Sequence, residues 1–376
     1  MTCREAYIAL NMIDGVGPIR VRALRERFGS PEAILSAPGD ELMEVDGVGE
    51  EVARGLASWR DGIDLDAELL RIEKSGVRVV TWDDAEYPNN LREIYDPPLV
   101  LYVHGALRPD ERMAIAIVGS RRTTLYGQEM SRKLAFQLAR VGVTVVSGLA
   151  RGIDTEAHRG ALQAKGRTVA VIGCGIDTVY PPENRKLADQ IVEKGGAVVT
   201  EFPFGVKPDK QNFPMRNRII SGWSLGVVVV EANLKSGALI TASQAAEQGR
   251  QVFAVPGRAD SVSSRGTNKL IKDGAKLTED VDDVLSEFEY LLPRKAEETR
   301  DGAAEVGGIK PALQLTDVEA KVMAHIGHEE VAIDDIIRAS GLTSAAVSAT
   351  LLALEMKRVV KQLPGKQYVR NTAFRQ

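Results

Sequence analysis

The sequence predicts an α/β fold: an extended Rossmann-like doubly wound sheet with a small all-α N-terminal domain and a C-terminal winged helix. Three observations predict it. Between Val77 and Glu289, short β-branched runs alternate with amphipathic stretches, the rhythm of a parallel sheet covered by helices on both faces. Ahead of that region the chain reads as short helices around two Gly-Val-Gly turns. Beyond it, a polar stretch of small residues leads to three helix-like segments and an alternating tail. At 376 residues, with 44% hydrophobic and 27% charged side chains, the chain can build two or three domains, each with a core. The expected boundaries are a helical domain over 1–75, the sheet domain over 76–290, a flexible linker over 291–312 and the winged-helix domain over 313–376.

In the first segment, Asp14-Gly-Val-Gly-Pro-Ile and Asp46-Gly-Val-Gly-Glu-Glu echo one another, each followed by a helical stretch. The pair resembles tandem helix-hairpin-helix (SAM-like) motifs, in which glycines allow a tight turn and free helix N-terminal amides face a phosphate. The other reading is a helical packing module that has kept the turns. The charges leave both open, since Arg20, Arg22 and Arg25 follow the first turn but Glu50 and Glu51 follow the second.

Candidate strands of the sheet are Ala114 to Val118, Val143 to Ser147, Thr168 to Ile172, Ala197 to Glu201, Val227 to Glu231 and Val252 to Val255. Val77 to Thr81 and Leu99 to Val103 add strands and make the sheet larger than the simplest version of the fold. Ligands of such sheets bind beyond the carboxyl ends of the strands, so function belongs in those loops. The linker stretch from Arg294 to Gly308 cannot bury enough apolar surface to offset its ordering entropy. After it, Thr316 to Gly327, Ala332 to Ser340 and Thr343 to Lys357 read as helices, and the tail around Pro364-Gly365 reads as a hairpin wing.

Each strand-end loop is rich in Gly, Arg or Ser. The first is Gly119-Ser120-Arg121-Arg122, ahead of a helix near Leu125: a sharp turn, an oxyanion donor and a planar guanidinium fork. It is neither Gly-x-Gly-x-x-Gly nor a P-loop, so neither a dinucleotide nor ATP is called for and no cofactor is expected. Next comes Ser147-Gly-Leu-Ala-Arg151-Gly152-Ile-Asp154, where Asp154 is placed as a helix N-cap and His158 as a structural histidine. In Gly173-Cys174-Gly-Ile-Asp177, with Tyr180-Pro181 and Asn184, the cysteine reads as a small buried residue. Beyond Glu201, Lys207 and Lys210 precede Asn212-Phe213-Pro-Met-Arg216-Asn217-Arg218, where cations and an aromatic ring are expected to meet at a helix N-terminus. A single strand needs that combination, namely phosphate neutralisation and base stacking worth ~1 to 3 kcal/mol per base. Lys235-Ser236-Gly237 follows the fifth strand, and Pro256-Gly257-Arg258 the last.

In order and spacing, these motifs resemble the DprA/Smf (DNA processing protein A) family from about Tyr87 to Lys276, with the helical start and winged end similar to its accessory domains. The resemblance implies a single-stranded DNA-binding recombination mediator of natural transformation, with no catalytic activity. It further implies a homodimer that protects incoming DNA and helps load RecA onto it. Carried over, the binding residues are Ser120, Arg121, Arg151, Gly152, Phe213, Arg216, Asn217 and Arg218, with Lys235 and Arg258 as additions. The alternative for some of these arginines is to lock loops to Asp154, Asp177 or Glu201.

Composition narrows the classes further. A net charge of −4 excludes a protein that coats nucleic acid over its whole surface but allows a local basic groove. Apolar runs are strand-sized, which argues against a membrane protein, and a start without a signal-peptide core points to the cytoplasm. Cys3 and Cys174 lie far apart, and the four histidines show no zinc-site spacing. The competing class is a nucleotide-processing phosphoribohydrolase on a related α/β fold, whose Pro-Gly-Gly-x-Gly-Thr loop has here only Ser236-Gly-Ala-Leu-Ile-Thr241 as a counterpart. In the winged segment, Thr343 to Leu354 lacks Arg, Lys, Asn and Gln, so sequence-specific duplex readout is not expected.

Overall fold

A computed structural model describes residues 1–108, 113–288, 317–327, 331–356, 359–363 and 367–370. The chain divides into two compact units, Met1–Lys295 and Ala296–Gln376. The expected linker over 291–312 and the wing tip Pro364-Gly365 lie outside the described residues.

Among the described residues, the first unit holds nine strands: β1 (Arg78–Thr81), β2 (Val100–Gly105), β3 (Ala114–Val118), β4 (Thr144–Ser147), β5 (Thr168–Val171), β6 (Ala197–Thr200), β7 (Gly226–Val229), β8 (Gln251–Ala254) and β9 (Lys276–Leu277). Their order is β1-β2-β6-β5-β4-β3-β7-β8-β9. Pairing is parallel from β6 through to β9, while β1 and β2 add an antiparallel edge beside β6. The two-residue β9 is too short to leave a periodic signal in the sequence, and it escaped prediction.

Strand β3 shows why this sheet is sandwiched. All five of its residues are buried. Ala114, Ala116 and Val118 join the core that includes Ile219, Ile220 and Trp223, and Ile115 and Ile117 join the opposite core with Leu134, Leu138 and Ala157. Alternate side chains of a strand face opposite ways, so an unbroken apolar run fits only a strand covered on both sides. Helices begin where the sequence supplies caps: Thr124 accepts the Gly127 N–H ahead of Leu125–Arg140, and Ser236 accepts the Ala238 N–H ahead of Gly237–Glu247.

Strand order reverses between β3 and β7. β4, β5 and β6 lie on one side of β3, and β7 to β9 on the other. The loops leaving β3 and β7 therefore part company and open a crevice at the carboxyl edge, the usual ligand position of a doubly wound sheet.

Helices over Cys3–Met12, Pro18–Phe28, Pro31–Ile34, Gly39–Met43, Glu50–Ala57, Trp59–Gly62 and Leu65–Ser75 form the N-terminal section. Its two turns hold Gly15 at φ +76° and Gly47 at φ +83°, in the region where a Cβ is disfavoured. Arg20 donates to both turns, to Gly47 O at 2.7 Å and Gly15 O at 2.5 Å. On the same helix, Arg22 lies over the Trp82 ring, Arg25 pairs with Asp83 and Arg27 with Glu44. The apolar interior of this section, including Leu24, Ile34 and Leu56, runs without a break into Tyr102, Leu149, Cys174 and Phe204 of the sheet region. Helices and sheet thus share one core.

The second unit is a winged helix. Its helices are Asp317–Met323, Ile333–Ser340 and Ser344–Met356, and its strands are β10 (Val331–Ala332), β11 (Val360–Leu363) and β12 (Gln367–Arg370), ordered β10-β12-β11. Val322, Ile336, Val347, Leu351 and Tyr368 contribute to its core. Gly341, at φ +64°, ends the second helix, as its position between two helical stretches predicts.

Candidate nucleic-acid interface

The crevice at the switch point has a volume of about 540 Å³. One wall is the loop after β3, with Ser120, Arg121 and Arg122. The second is the start of the helix Gly237–Glu247, with Asn233, Ser236 and Thr241. The third is the helix Asn212–Trp223, with Phe213, Arg216 and Asn217, preceded by Lys210. A small adjoining hollow, shared through Arg121, Phe213 and Arg216, is lined by Arg151, Cys174 and Tyr180.

The loop after β3 is held by backbone and carboxylate partners. Ser120 N–H donates to Glu231 O at 2.7 Å, and Ser120 Oγ bonds the Arg122 carbonyl. The buried Glu231, at the end of β7, accepts the Thr124 N–H at 2.9 Å and the Thr123 hydroxyl. Both strands that frame the switch point therefore fix this loop. Gly152, at φ +76°, brings its backbone against Ser120 O and Arg121 O, closer than any Cβ would allow. It also serves as the cap residue of the helix Ile153–Gln163.

Arg121, Arg122 and Lys210 are exposed and form no ion pair among the described residues. The Arg121 guanidinium sits 4.8 Å from the centroid of Phe213, and the Tyr180 ring lies 6.0 Å from Phe213 at an interplanar angle of 33°. Cation and two rings thus form a continuous platform at the rim, which a planar base and its phosphate can share. Arg151 is exposed beside it and is paired to Glu183, with Arg151 Nη2 3.1 Å from Glu183 Oε2.

Two expected contacts do not reach the rim. Arg216 is only 4% exposed, and its Nη1 donates to Gly148 O at 2.7 Å and to Val171 O. It fastens the ends of β4 and β5 from below, with Asp154 as its nearby charge. Arg218 is likewise buried, paired with Glu201 and with Asp96 at 3.2 Å. The reason lies in the helix. It begins at Asn212, so Phe213 and Pro214 occupy its first turn while Arg216 and Arg218 fall further along, on positions turned into the fold. Arg218 locks onto carboxylates, Glu201 among them, the alternative that the sequence left open, whereas Arg216 ties strand ends through backbone carbonyls. Lys235 and Arg258 are exposed, but neither lines the crevice, and Arg258 is paired with Asp260 at 3.0 Å. Asn217 does line it, half-buried, and accepts from Arg216 Nε at 3.2 Å.

Asp154 also differs from expectation. The cap position belongs to Gly152, and the Asp154 carboxylate instead accepts the N–H groups of Gly148 at 3.1 Å and Ala150 at 3.4 Å. Burial pushes its pKa up to about 6 against the opposing pull of Arg216. Arg216 is drawn down to about 10 by the same burial. His158 is fully buried, bonds Thr168 Oγ1 through Nδ1 at 2.7 Å, and is held neutral by burial to about 3. The Cys174 thiol is buried and pushed up to about 11, the character of an inert structural cysteine.

Residues that the sequence placed in the right loops without assigning them are Arg122, Lys210, Ser236, Thr241 and Tyr180, and Asn233 was missed altogether. Their signal was weak for a physical reason: a polar residue near a strand end takes its role from which other loop faces it, and only the strand order decides that.

A family profile described as DNA recombination-mediator protein A matches residues 78–289, one described as DprA winged helix domain matches 310–366, and one described as SAM-like helix-hairpin-helix tandem matches 7–57. Protein Smf of Synechocystis is 36% identical over 97% of this chain and 98% of its own length. The DNA processing protein DprA of Streptococcus pneumoniae is 46% identical over 54% of this chain and 72% of its own. A solved structure of DprA from S. pneumoniae superposes with a TM-score of 0.65 at 37% identity, covering 76% of this chain and 98% of that one. A Helicobacter pylori DNA processing protein A, whose structure is described in terms of its single-stranded DNA binding mode, superposes with a TM-score of 0.51 at 29% identity. It covers 58% of this chain and 99% of that one.

Proposed function

This chain belongs to the DNA recombination-mediator protein A (DprA/Smf) family, and from that premise we propose that it holds single-stranded DNA in the switch-point crevice as a recombination mediator of natural transformation. The observation that carries the reading is the platform of Arg121, Phe213 and Tyr180 beside the loop of Ser120 and the start of the helix Gly237–Glu247. Unstacked bases offer faces to the rings, and the neighbouring phosphates meet exposed guanidinium and ammonium groups. A duplex, with its bases stacked on each other, has no face to give.

In this reading Arg121, Arg122 and Lys210 neutralise phosphate, Ser120 and Asn217 supply polar contacts, and Phe213 and Tyr180 stack. Arg151 joins once its pair with Glu183 opens. Lys235 and Arg258 lie outside this set. The protein binds rather than cleaves: Cys174 and His158, the side chains best suited to covalent or acid–base chemistry, are buried with shifts that oppose reactivity. The bound strand is passed to the RecA recombinase by a homodimer in the cytoplasm, as the family membership supports.

The test is fluorescence anisotropy with single- and double-stranded oligonucleotides across a salt series. Arg121→Glu, shown to be folded by thermal melting, is expected to weaken single-strand binding at least tenfold and to flatten the dependence of log affinity on log salt. Parental affinity in a folded Arg121→Glu variant overturns the proposal.

A further inference from the structure

The loop of residues 201–211, between β6 and the helix Asn212–Trp223, carries Lys207 and Lys210, and Lys210 lines the crevice. Its first half is tied to other parts of the fold. Asn11 Nδ2 donates to Glu201 O at 2.8 Å, and Glu68 Oε1 accepts the Phe204 N–H at 3.0 Å. Gly205 N–H donates to Asp177 Oδ1 at 3.1 Å, and Gly175 N–H to Val206 O at 2.8 Å. From Lys207 to Gln211, the hydrogen bonds among the described residues are local: Gln211 N–H to Asp209 Oδ1, Asn212 N–H to Asp209 O, and Asn212 Nδ2 to Lys207 O. The lysine is thus held between that anchored first half and the helix start at Asn212.

Two of those ties come from the N-terminal helices. Glu68 is fully buried, an expensive place for a carboxylate unless its partners repay the lost hydration. Its partners are the Phe204 amide and Arg71 at 3.5 Å. The Phe204 ring then sits edge-on to Tyr102, with centroids 5.8 Å apart. The core shared by helices and sheet reaches Leu149, Cys174, Ile176 and Phe204, all in the loops that carry or adjoin the crevice. The arginines of the helix Pro18–Phe28, meanwhile, are engaged within the chain.

We infer that the N-terminal helical section braces the groove: Asn11 and Glu68 are positioning residues that fix the 201–211 loop and so deliver Lys210 to the crevice rim. Neither touches nucleic acid. This rests on the single-strand reading above, and the two fail in different ways.

The experiment uses the full chain and an oligothymidylate over a salt series. Glu68→Ala is expected to lose three- to tenfold in affinity at low salt, and its slope of log affinity against log salt to shrink by about 0.7, the share of one phosphate on a single strand. Glu68→Gln, which keeps an acceptor oxygen in place, recovers most of both. In a Lys210→Ala background, Glu68→Ala adds no further loss. A folded Glu68→Ala with the parental slope, or an undiminished loss in the Lys210→Ala background, overturns the brace while leaving the single-strand reading intact. If Glu68→Ala does not fold, Asn11→Ala is read by the same criteria. A parent chain with no salt-dependent binding overturns both.

Discussion

A cation near a candidate groove can face solvent or serve the fold, and burial separates the two. Arg121 lies exposed on the Phe213 ring, whereas Arg218 is buried between Glu201 and Asp96. Removing one partner of a buried pair strands the other charge, at a cost of about 3–5 kcal/mol. Arg218→Ala is therefore expected to lower the melting temperature sharply, and to weaken DNA binding only in proportion to the unfolded fraction. A normally melting Arg218→Ala that binds poorly would return this residue to the rim. Asp154 gives a pH signature. Its folded pKa of about 6 lies above the ordinary carboxylate value of about 3.9, so the native state binds the extra proton between them. The stability it contributes is fully present below about pH 3.9 and is lost as pH rises through about 6. Asp154→Asn should remove that dependence, so the parent loses on the order of 1–3 kcal/mol relative to the variant between pH 4 and 7. A constant stability difference from urea titrations across that range would contradict the assignment.

At the scale of elements, the crevice is made by loops that strands deliver and glycines allow to approach. Gly152 occupies φ +76° and ψ −121°, a conformation that disfavours any side chain, and its Cα faces the Ser120 and Arg121 carbonyls. Gly152→Ala is expected to cost about 1–3 kcal/mol and to displace the Arg121 loop, so affinity falls even in the folded fraction; melting and anisotropy on the same preparation separate the effects. An alanine variant matching the parent in both would mean that the loop is free to shift. Strand existence was legible in the sequence because Ala114 to Val118 and its neighbours are apolar runs buried on both faces. The pairing partners were not. That β1 and β2 lie antiparallel beside β6, or that β3 neighbours β7, depends on contacts distant in sequence. The same limit explains the helix Asn212–Trp223: its arginines were expected to open the helix after Phe213-Pro214, but it starts three residues earlier than Met215, at Asn212, and packing turns both arginines from the rim into the interior.

For the whole molecule, the sequence anticipated a helical start, a large doubly wound sheet and a winged end, since each has its own hydrophobic period. The rim was legible in part. Ser120, Arg121 and Phe213 were found because a Gly-rich turn or a helix start marks them, whereas Lys210 and Tyr180 acquire meaning only from what stands opposite. That helices and sheet share one core was invisible, because apolar residues do not announce which partner they will meet. The winged unit has its own core, and its helix over Ser344–Met356 lacks Arg, Lys, Asn and Gln, the commonest side chains of duplex readout. A chain ending at Lys295, the limit of the first compact unit, should keep single-strand affinity within about threefold of the full chain. A collapse of affinity on truncation would give the winged unit a direct part in binding.

The fastening of two strand ends by Arg216 carries a kinetic meaning. With one guanidinium tied to the carbonyls of Gly148 and Val171, the floor of the crevice is set during folding, before any ligand arrives. Little ordering is left for the encounter itself, so the speed of capture is governed by long-range attraction between polyanion and rim, and ionic strength throttles arrival far more than departure.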